Sequence, residues 1–172
     1  FSFPSLGNNS YNNLSIINKK SIVIPLGEVK ISRKVESLLI IVRTNSNIHI
    51  SDQNKKRIFN ESKIEYISRS LNSLVDSIIF FKKKFPKFNI NLSIIDQSNN
   101  QTMNKKFNSI FDKLDFKPEI IFFDKNDFKN EINIDYEKDV FGNLSSLLKC
   151  FKIAKEKTND LVFFLEDDYL HK

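Results

Sequence analysis

The distribution of apolar residues along the chain predicts an alternation of strands and helices. Continuous apolar runs bounded by polar residues are typical of strands buried on both faces of a parallel sheet. Apolar residues that recur every three or four positions are typical of helices that pack one side on such a sheet. The runs lie at 37–43, 90–95, 119–123 and 161–165, and the helical patterns lie between them at 61–85, 103–114 and 144–154.

This alternation predicts an α/β fold of three layers, with a mainly parallel sheet and helices on both of its faces. Strand–helix–strand connections are right-handed, so only a few topologies are compatible with the pattern. We predict the strand order 3-2-1-4, in which the first and fourth strands are neighbours. Ligands bind such open sheets beyond the carboxyl ends of the strands, where the order reverses. The aromatic residues of the last two strands, Phe122, Phe123, Phe163 and Phe164, are predicted to lie in the core.

Outside this pattern the chain is less regular. Residues 1–34 are rich in Asn and Ser and predict a loose lead-in, in which 21–26 can add a short edge strand. Residues 35–172 form the predicted main domain. The polar stretch from 124 to 140 is longer than an ordinary connection, so we expect a functional loop or a short additional element there. Because the chain starts at Phe1 without Met and stops soon after an acidic motif, we expect a fragment at both ends, with the main domain truncated at the C-terminus.

Composition indicates one soluble globular domain. The 172 residues are 40% apolar and 12% aromatic, which is enough for a buried core. The net charge of +6 is spread along the chain rather than gathered in one tract, so we predict no nucleic-acid surface. The lysines at 82–84 are flanked by Phe80, Phe81 and Phe85. This cluster predicts either a weak contact with a membrane surface or a hydrated helix end whose cations complement the helix dipole.

Cysteine usage and hydropathy predict the compartment. Cys150 is the single cysteine, so the sequence contains no intramolecular disulfide and no set of thiol ligands for a metal. No apolar run approaches the roughly 20 residues that span a bilayer, and no secretory signal is visible at the start. We therefore expect a cytoplasmic protein, with a peripheral position at the membrane as the alternative.

The most informative motif is a group of three acids, Glu166, Asp167 and Asp168, directly after the last apolar run. Like charges at the end of a buried strand repel one another in a partly desolvated place unless a cation or hydrogen-bond donors arrive. Hard ions such as Mg²⁺ and Mn²⁺ take oxygen ligands and often share them with substrate phosphates. The motif predicts a divalent metal site, and the alternative is a hydrated acidic loop at the sheet edge.

Polar residues also follow the other three apolar runs. Parallel strands bring their carboxyl ends to one edge of the sheet, so in the order 3-2-1-4 these residues and the acidic motif share a crevice. They are Arg43, Thr44 and Asn45 after the first run, Asp96, Gln97 and Ser98 after the second, and Asp124 after the third.

Three segments resemble the nucleotide-sugar half of a GT-A glycosyltransferase, with the family 2 enzymes as the nearest comparison. They are LLIIVRTNSN, LSIIDQSNN and GNLSSLLKCFKIAKEKTNDLVFFLEDD, and the resemblance covers about residues 36–172. The corresponding strands of the family typically end in Pro-Thr-Tyr-Asn, in Asp-Asp-Gly-Ser and in an Asp-x-Asp metal motif. Thr44, Asn45, Asp96 and Ser98 match the first two signatures.

The chain departs from the family at three positions. Arg43 stands where the family usually has Pro, Gln97 replaces the second Asp, and Glu166 is the first acid of the metal motif. The Glu-Asp-Asp form occurs in some GT-A enzymes. Arg43 introduces a cation beside the acids, and it is either a phosphate ligand or an internal ion-pair partner.

The resemblance implies transfer of a sugar from a nucleoside diphosphate sugar of UDP or GDP type to a glycan, lipid or protein acceptor. Asp96 would accept a hydrogen bond from an N–H of the base, and Arg43, Thr44, Asn45 and Ser98 would line the nucleotide pocket. The alternative role for Asp96 is that of a turn former. The base that activates the acceptor is expected beyond residue 172.

The resemblance also implies Mn²⁺ or Mg²⁺ as cofactor, held by Glu166, Asp167 and Asp168. Asp168 would be the direct ligand, and Glu166 would reach the ribose or a metal-bound water. Asp167 would complete the set, or it would turn away and hold a neighbouring loop. Gly142 and Asn143 would begin the third helix near the sugar, with Asn143 as N-cap.

Two other functions fit strand-end acids. A nucleotidyltransferase also uses acids and Mg²⁺, but it normally has a Gly-rich phosphate loop after the first strand, and residues 43–47 contain no Gly. A non-catalytic, receiver-like module binds Mg²⁺ as well, but its acid pair follows the first strand rather than the fourth.

Overall fold

A computed structural model describes residues 33–46, 61–97, 101–132, 138–167 and 170–171, with backbone only for 101–103 and 138–139. The chain divides into two units, Phe1–Val35 and Glu36–Lys172. Only residues 33–35 of the first unit are described, and every element below belongs to the second. The edge strand predicted at 21–26 lies outside the described residues.

The second unit is an α/β domain, as predicted. Each apolar run forms a strand and each amphipathic pattern forms a helix, with boundaries close to those expected from the sequence. The elements are β1 (Ser37–Thr44), α1 (Lys63–Lys84), β2 (Asn89–Asp96), α2 (Gln101–Phe111), β3 (Glu119–Phe122), a short 3₁₀ helix (Lys125–Phe128), α3 (Lys138–Lys157) and β4 (Leu161–Glu166).

The four strands form one parallel sheet in the order β3-β2-β1-β4, which confirms the predicted order. In the register of the sheet, Thr44 at the end of β1 is beside Asp96 at the end of β2. On the other side of β1, Arg43 is beside Glu166. The polar ends of three strands therefore lie at one edge, which we call the carboxyl edge.

Helices cover both faces of the sheet, so the domain has the three layers of a Rossmann-like fold. Successive residues of a strand point to opposite faces. Ile40 and Val42 of β1 belong to a buried cluster with α1 and α2. Leu39 and Ile41, on the other face, belong to a second cluster with α3. The continuous apolar run of β1 is thus explained by burial on both sides.

The connection between β3 and α3 contains the short element that the polar stretch from 124 to 140 predicted. The side chain of Asp124 accepts hydrogen bonds from the backbone N–H of Asn126 at 2.8 Å and from its Nδ2 at 2.9 Å. Asp124 thereby caps the 3₁₀ helix. Phe128 anchors that helix in the cluster beneath α3.

The predicted start of α3 at Gly142 and Asn143 is wrong, because the helix begins at Lys138. Asn143 therefore lies inside the helix and is not its N-cap. Phe141 is buried in the cluster that α3 shares with the sheet. Burial of this large side chain offsets the cost of about 1 kcal/mol that a glycine imposes inside a helix.

The prediction that Phe163 and Phe164 lie in the core is also wrong. Phe163 is 50% exposed and Phe164 is 38% exposed. The reason is the position of β4 at one end of the described sheet, where it has a neighbouring strand on one side only. Phe164 packs edge-on against Phe151 of α3, with 5.2 Å between the ring centroids. Phe123, by contrast, is buried as predicted.

A carboxylate joins the start of β4 to the start of β1. One oxygen of Asp160 accepts hydrogen bonds from the backbone N–H groups of Glu36 at 3.1 Å and Ser37 at 3.0 Å, and from the Ser37 hydroxyl at 2.9 Å. Hydrogen bonds to a charged group are the stronger ones in proteins. This contact, which we call the Asp160 clamp, fixes the register between β1 and β4.

Candidate functional site

The candidate site lies at the carboxyl edge, beside the last residues of β1. The helix that follows β1 packs on one face of the sheet, and the helix that precedes β4 packs on the other. The chain therefore leaves β1 and enters β4 from opposite faces, which is the place where open α/β sheets form their ligand crevice. The crevice is bordered by residues 43–46, 96–97 and 166–167, all of which the structure describes.

Arg43 lies at the carboxyl edge, between α3 and the end of β4. Its Nη1 donates to the backbone carbonyl of Asn143 at 3.4 Å and to the side-chain oxygen of the same residue. Its Nη2 forms an ion pair with Oε1 of Glu166. The side chain of Arg43 is 22% exposed and that of Glu166 is 49% exposed. The internal ion pair that the sequence suggested for Arg43 is present, and its acid partner remains open to water.

Asp167 faces the opposite side and is held by the first residue of α1. Oδ1 of Asp167 is 2.6 Å from Nζ of Lys63, and the two side chains are only 10% and 14% exposed. Two consecutive acids of the motif thus contact cations on opposite faces of the sheet. This arrangement follows from the alternation of side chains along an extended strand. Asp167 holds a neighbouring element, which is the second role that the sequence allowed for it.

The described acids do not by themselves fit a divalent ion. Among the described residues, no three His, Cys, Asp or Glu side chains form a group that could hold a metal. Glu166 and Asp167 already have cations as partners, and they diverge rather than converge. Asp168 lies outside the described residues. The assignment of a metal to Glu166, Asp167 and Asp168 therefore stays a prediction that depends on Asp168.

Asp96 is fully buried and fixes the start of the connection between β1 and α1. One of its oxygens accepts from the backbone N–H of Ser46 at 3.2 Å, and the other accepts from the Ser46 hydroxyl at 2.8 Å. Thr44, its neighbour in the sheet, is also buried. A nucleotide base could reach the carboxylate only after Ser46 moved. Recognition of a base by Asp96 and a role in the turn after β2 both stay predictions, because the contacts with Ser46 join two different connections of the fold.

An amide pair lies next to Asp96. Nδ2 of Asn45 donates to Oε1 of Gln97 at 3.2 Å. A Cβ added at Gly142 would lie 3.4 Å from Nε2 of Gln97, so this amide extends across to α3. Both side chains are part-buried and offer hydrogen-bond donors and acceptors without a charge. Ser98, the remaining predicted nucleotide contact, lies outside the described residues.

Sequence reasoning missed two residues of the site, Lys63 and Asn143. A lysine in the first turn of a helix lies near the positive end of the helix dipole, which is unfavourable. This position was a signal that Lys63 has an acidic partner elsewhere in the fold. Asn143 contacts Arg43 from within α3, and its assignment as an N-cap concealed that role.

Cys150 lies in α3 and is 2% exposed. Burial raises the pKa of its thiol from 9.0 to about 11, and the charge of Arg43 opposes part of that rise. The thiolate is the reactive form, so iodoacetamide should modify the folded protein very slowly at pH 8 and the urea-unfolded protein quickly. Mass spectrometry measures the rate of modification. Rapid modification of the folded protein would contradict the burial of this thiol.

The same shift predicts a dependence of stability on pH. Between pH 9 and about 11 the unfolded chain loses the thiol proton while the folded chain retains it. The free energy of unfolding should therefore decrease as the pH rises through this interval. Cys150→Ala is the control, because it removes this contribution and leaves those of the lysines and tyrosines. Urea unfolding at several pH values measures this dependence for both proteins. If the free energy of unfolding changed with pH equally in the two, the raised pKa of Cys150 would be contradicted.

Comparisons with family models, with curated proteins and with solved structures found no match for this chain. A functional proposal therefore depends on the fold and on the residues of the crevice.

The contact with a membrane surface and the cytoplasmic location stay predictions. Among the described residues, no helix combines the length and apolar character needed to cross a bilayer. Phe80 and Phe85 at the end of α1 are 59% and 53% exposed. Nζ of Lys84 lies 4.5 Å from the centroid of the Phe80 ring. These contacts are compatible with either alternative for the lysine cluster.

Proposed function

We propose that this chain carries the donor-binding part of a glycosyltransferase, which moves a sugar from a nucleoside diphosphate sugar to an acceptor hydroxyl. The observation that carries the proposal is the parallel strand order 3-2-1-4 with polar residues at the ends of β1, β2 and β4. Such a reversal of strand order is where open α/β sheets bind their ligands, and nucleotides are frequent among them.

The chemistry of the crevice supports a nucleoside diphosphate as ligand. Arg43 offers a guanidinium group, which binds phosphate oxygens through paired hydrogen bonds. Asn45 and Gln97 offer uncharged amides suited to the polar edges of a base or a ribose. The charged and the uncharged parts of the crevice therefore correspond to the two parts of a nucleotide.

The proposed reaction breaks the bond between the sugar carbon and the diphosphate oxygen, and negative charge develops on the leaving diphosphate. A positive group fixed beside those oxygens stabilises this charge in the transition state. The acceptor hydroxyl also has to lose a proton to a base. At the crevice, the described carboxylates of Glu166, Asp167 and Asp96 already accept from other groups. The base stays predicted beyond residue 172.

A divalent ion would supply a further positive charge for the leaving diphosphate. To bind one, the site would need Asp168, and Glu166 or Asp167 would have to leave its present partner.

The strand order argues against the receiver-like alternative. Receiver-like modules have the flavodoxin-like strand order 2-1-3-4-5, in which β1 lies between β2 and β3. Here β1 lies between β2 and β4. Nucleotidyl transfer uses the same edge of a sheet, but the sequence from 44 to 60 contains no Gly to form a phosphate loop.

The test is a titration of the protein with UDP-sugars, GDP-sugars, UDP, GDP, CMP and ATP, monitored by calorimetry with and without Mn²⁺. We expect saturable binding of UDP or GDP and of the corresponding sugar nucleotide. Binding of ATP with release of pyrophosphate would instead indicate nucleotidyl transfer. Absence of binding for every nucleotide would overturn the proposal.

A further inference from the structure

We infer that Arg43, rather than a divalent ion, supplies the positive charge that binds the diphosphate, and that Glu166 occupies the guanidinium only until the ligand arrives. This inference rests on the proposed function and specifies how its ligand is held. It departs from the metal site that the acidic motif predicted.

The position of Arg43 is fixed independently of Glu166. Both contacts of its Nη1 are with oxygens of Asn143, which carries no charge. Asn143 belongs to α3, and the residues around it pack on the sheet. These neutral acceptors orient the guanidinium without cancelling its charge. If Glu166 moved away, Arg43 would remain in place with its Nη2 directed into the crevice.

Glu166 is suited to exchange for a ligand. Its side chain is 49% exposed, so its carboxylate can turn into water without a large desolvation change. Ion pairs that water and salt can reach are screened, so the exposed carboxylate of Glu166 loses little when it leaves Arg43. A diphosphate carries more charge than a carboxylate, and its several oxygens can accept from the N–H groups of Nη2 that Glu166 would release. The ligand is therefore the stronger partner for Arg43.

Asp167 does not have the same freedom. Its pair with Lys63 is largely withdrawn from water, with 10% and 14% exposure of the two side chains. Removal of one partner from a buried ion pair leaves an uncompensated charge and is strongly destabilising. A metal that used Glu166 and Asp167 together would have to break this pair and turn both acids to one face. A ligand bound by Arg43 needs neither change.

The experiment measures the affinity for UDP and GDP in buffer with excess EDTA and in buffer with Mn²⁺. For the natural sequence we expect dissociation constants that agree within about threefold under the two conditions. Arg43→Gln should weaken binding by at least about tenfold, which corresponds to the loss of about one charge-assisted contact. Arg43→Lys should give an intermediate affinity, because an ammonium group lacks the paired donors.

Glu166→Gln distinguishes the two explanations even if a change at Arg43 prevents folding. Removal of a competing anion should leave the affinity equal or raise it, whereas removal of a metal ligand should lower it. Arg69→Gln is the matched control for Arg43→Gln, because Arg69 forms an exposed pair with Glu65 on α1. The Arg69→Gln protein should bind UDP and GDP like the natural sequence.

The outcomes separate the inference from the proposed function. Binding that requires Mn²⁺ and is weakened by Glu166→Gln would overturn the inference and leave the proposed function supported. Binding in EDTA that Arg43→Gln leaves unchanged would overturn the inference as well. A failure of every nucleotide to bind, with or without Mn²⁺, would overturn the proposed function itself.

Discussion

Lys63→Met should lower the free energy of unfolding by about 3 kcal/mol. Methionine keeps the length of the side chain but removes the charge that compensates Asp167. The side chain of Asp167 is only 10% exposed, so its charge would lose the Lys63 cation in a poorly solvated place. Urea unfolding followed by circular dichroism measures the loss, provided that the slope of the transition is unchanged.

Two variants control this prediction. Lys152→Met removes a lysine whose pair with Glu131 is exposed, at 43% for each side chain, and it should cost about 0–1 kcal/mol. The double variant Lys63→Met with Asp167→Leu should recover most of the stability, because apolar residues of similar volume often replace buried pairs without loss. If Lys63→Met and Lys152→Met lowered the free energy of unfolding equally, the buried pair of Lys63 and Asp167 would contribute no more than an exposed pair.

Asp96→Ala should lower the free energy of unfolding by about 3 kcal/mol, since two hydrogen bonds to a buried carboxylate are lost. The backbone N–H and the hydroxyl of Ser46 would both lose their acceptor. The start of the connection between β1 and α1 should then become mobile, and amide hydrogen exchange at Asn45 and Ser46 should accelerate. Urea unfolding together with hydrogen exchange tests both parts.

Asp124→Ala is the matched control for Asp96. Asp124 also follows a strand of the sheet, but its carboxylate is exposed and caps only the 3₁₀ helix, so the loss should be about 1 kcal/mol. If Asp96 serves mainly to bind a nucleotide base, Asp96→Ala should leave the unfolding transition where it is and weaken UDP or GDP binding alone. That result would restore the role that the resemblance implied.

The fold could be predicted because burial leaves a periodic pattern in the sequence. Ile40 and Ile41 point to opposite faces, and both faces are covered, so β1 is apolar at every position. α1 is covered on one side only, and its buried residues recur every three or four positions, as at Ile67, Leu71 and Leu74. Right-handed connections left a few strand orders possible, and the predicted one, 3-2-1-4, is the order that the structure has.

The partners at the site could not be predicted in the same way, because they depend on which residues the fold brings together. Lys63 and Asp167 are 104 residues apart in the sequence. Glu166 and Asp167 are adjacent in the sequence, and they looked like one metal site. The alternation of the strand sends them to different faces, where Arg43 and Lys63 contact them.

Both incorrect structural predictions were made from the type of a residue, whereas its position in the fold decided the outcome. Gly142 suggested a helix boundary because glycine is a poor helix former, but packing of Phe141 extends the helix past it. Phe163 and Phe164 suggested core residues because they are large and apolar. Their exposure is decided by the place of β4 at one end of the described sheet, which the residues themselves do not encode.

The Asp160 clamp has a consequence for synthesis on the ribosome. Asp160 and Ser37 are 123 residues apart, so β1 emerges long before the strand that completes its second side. Until then a nascent chain presents the apolar residues of β1 beside an unpaired row of backbone groups, which is a template for pairing with other chains. Contacts of such long range also slow folding. Chaperones that shield extended apolar segments should therefore associate with this chain until β4 is released.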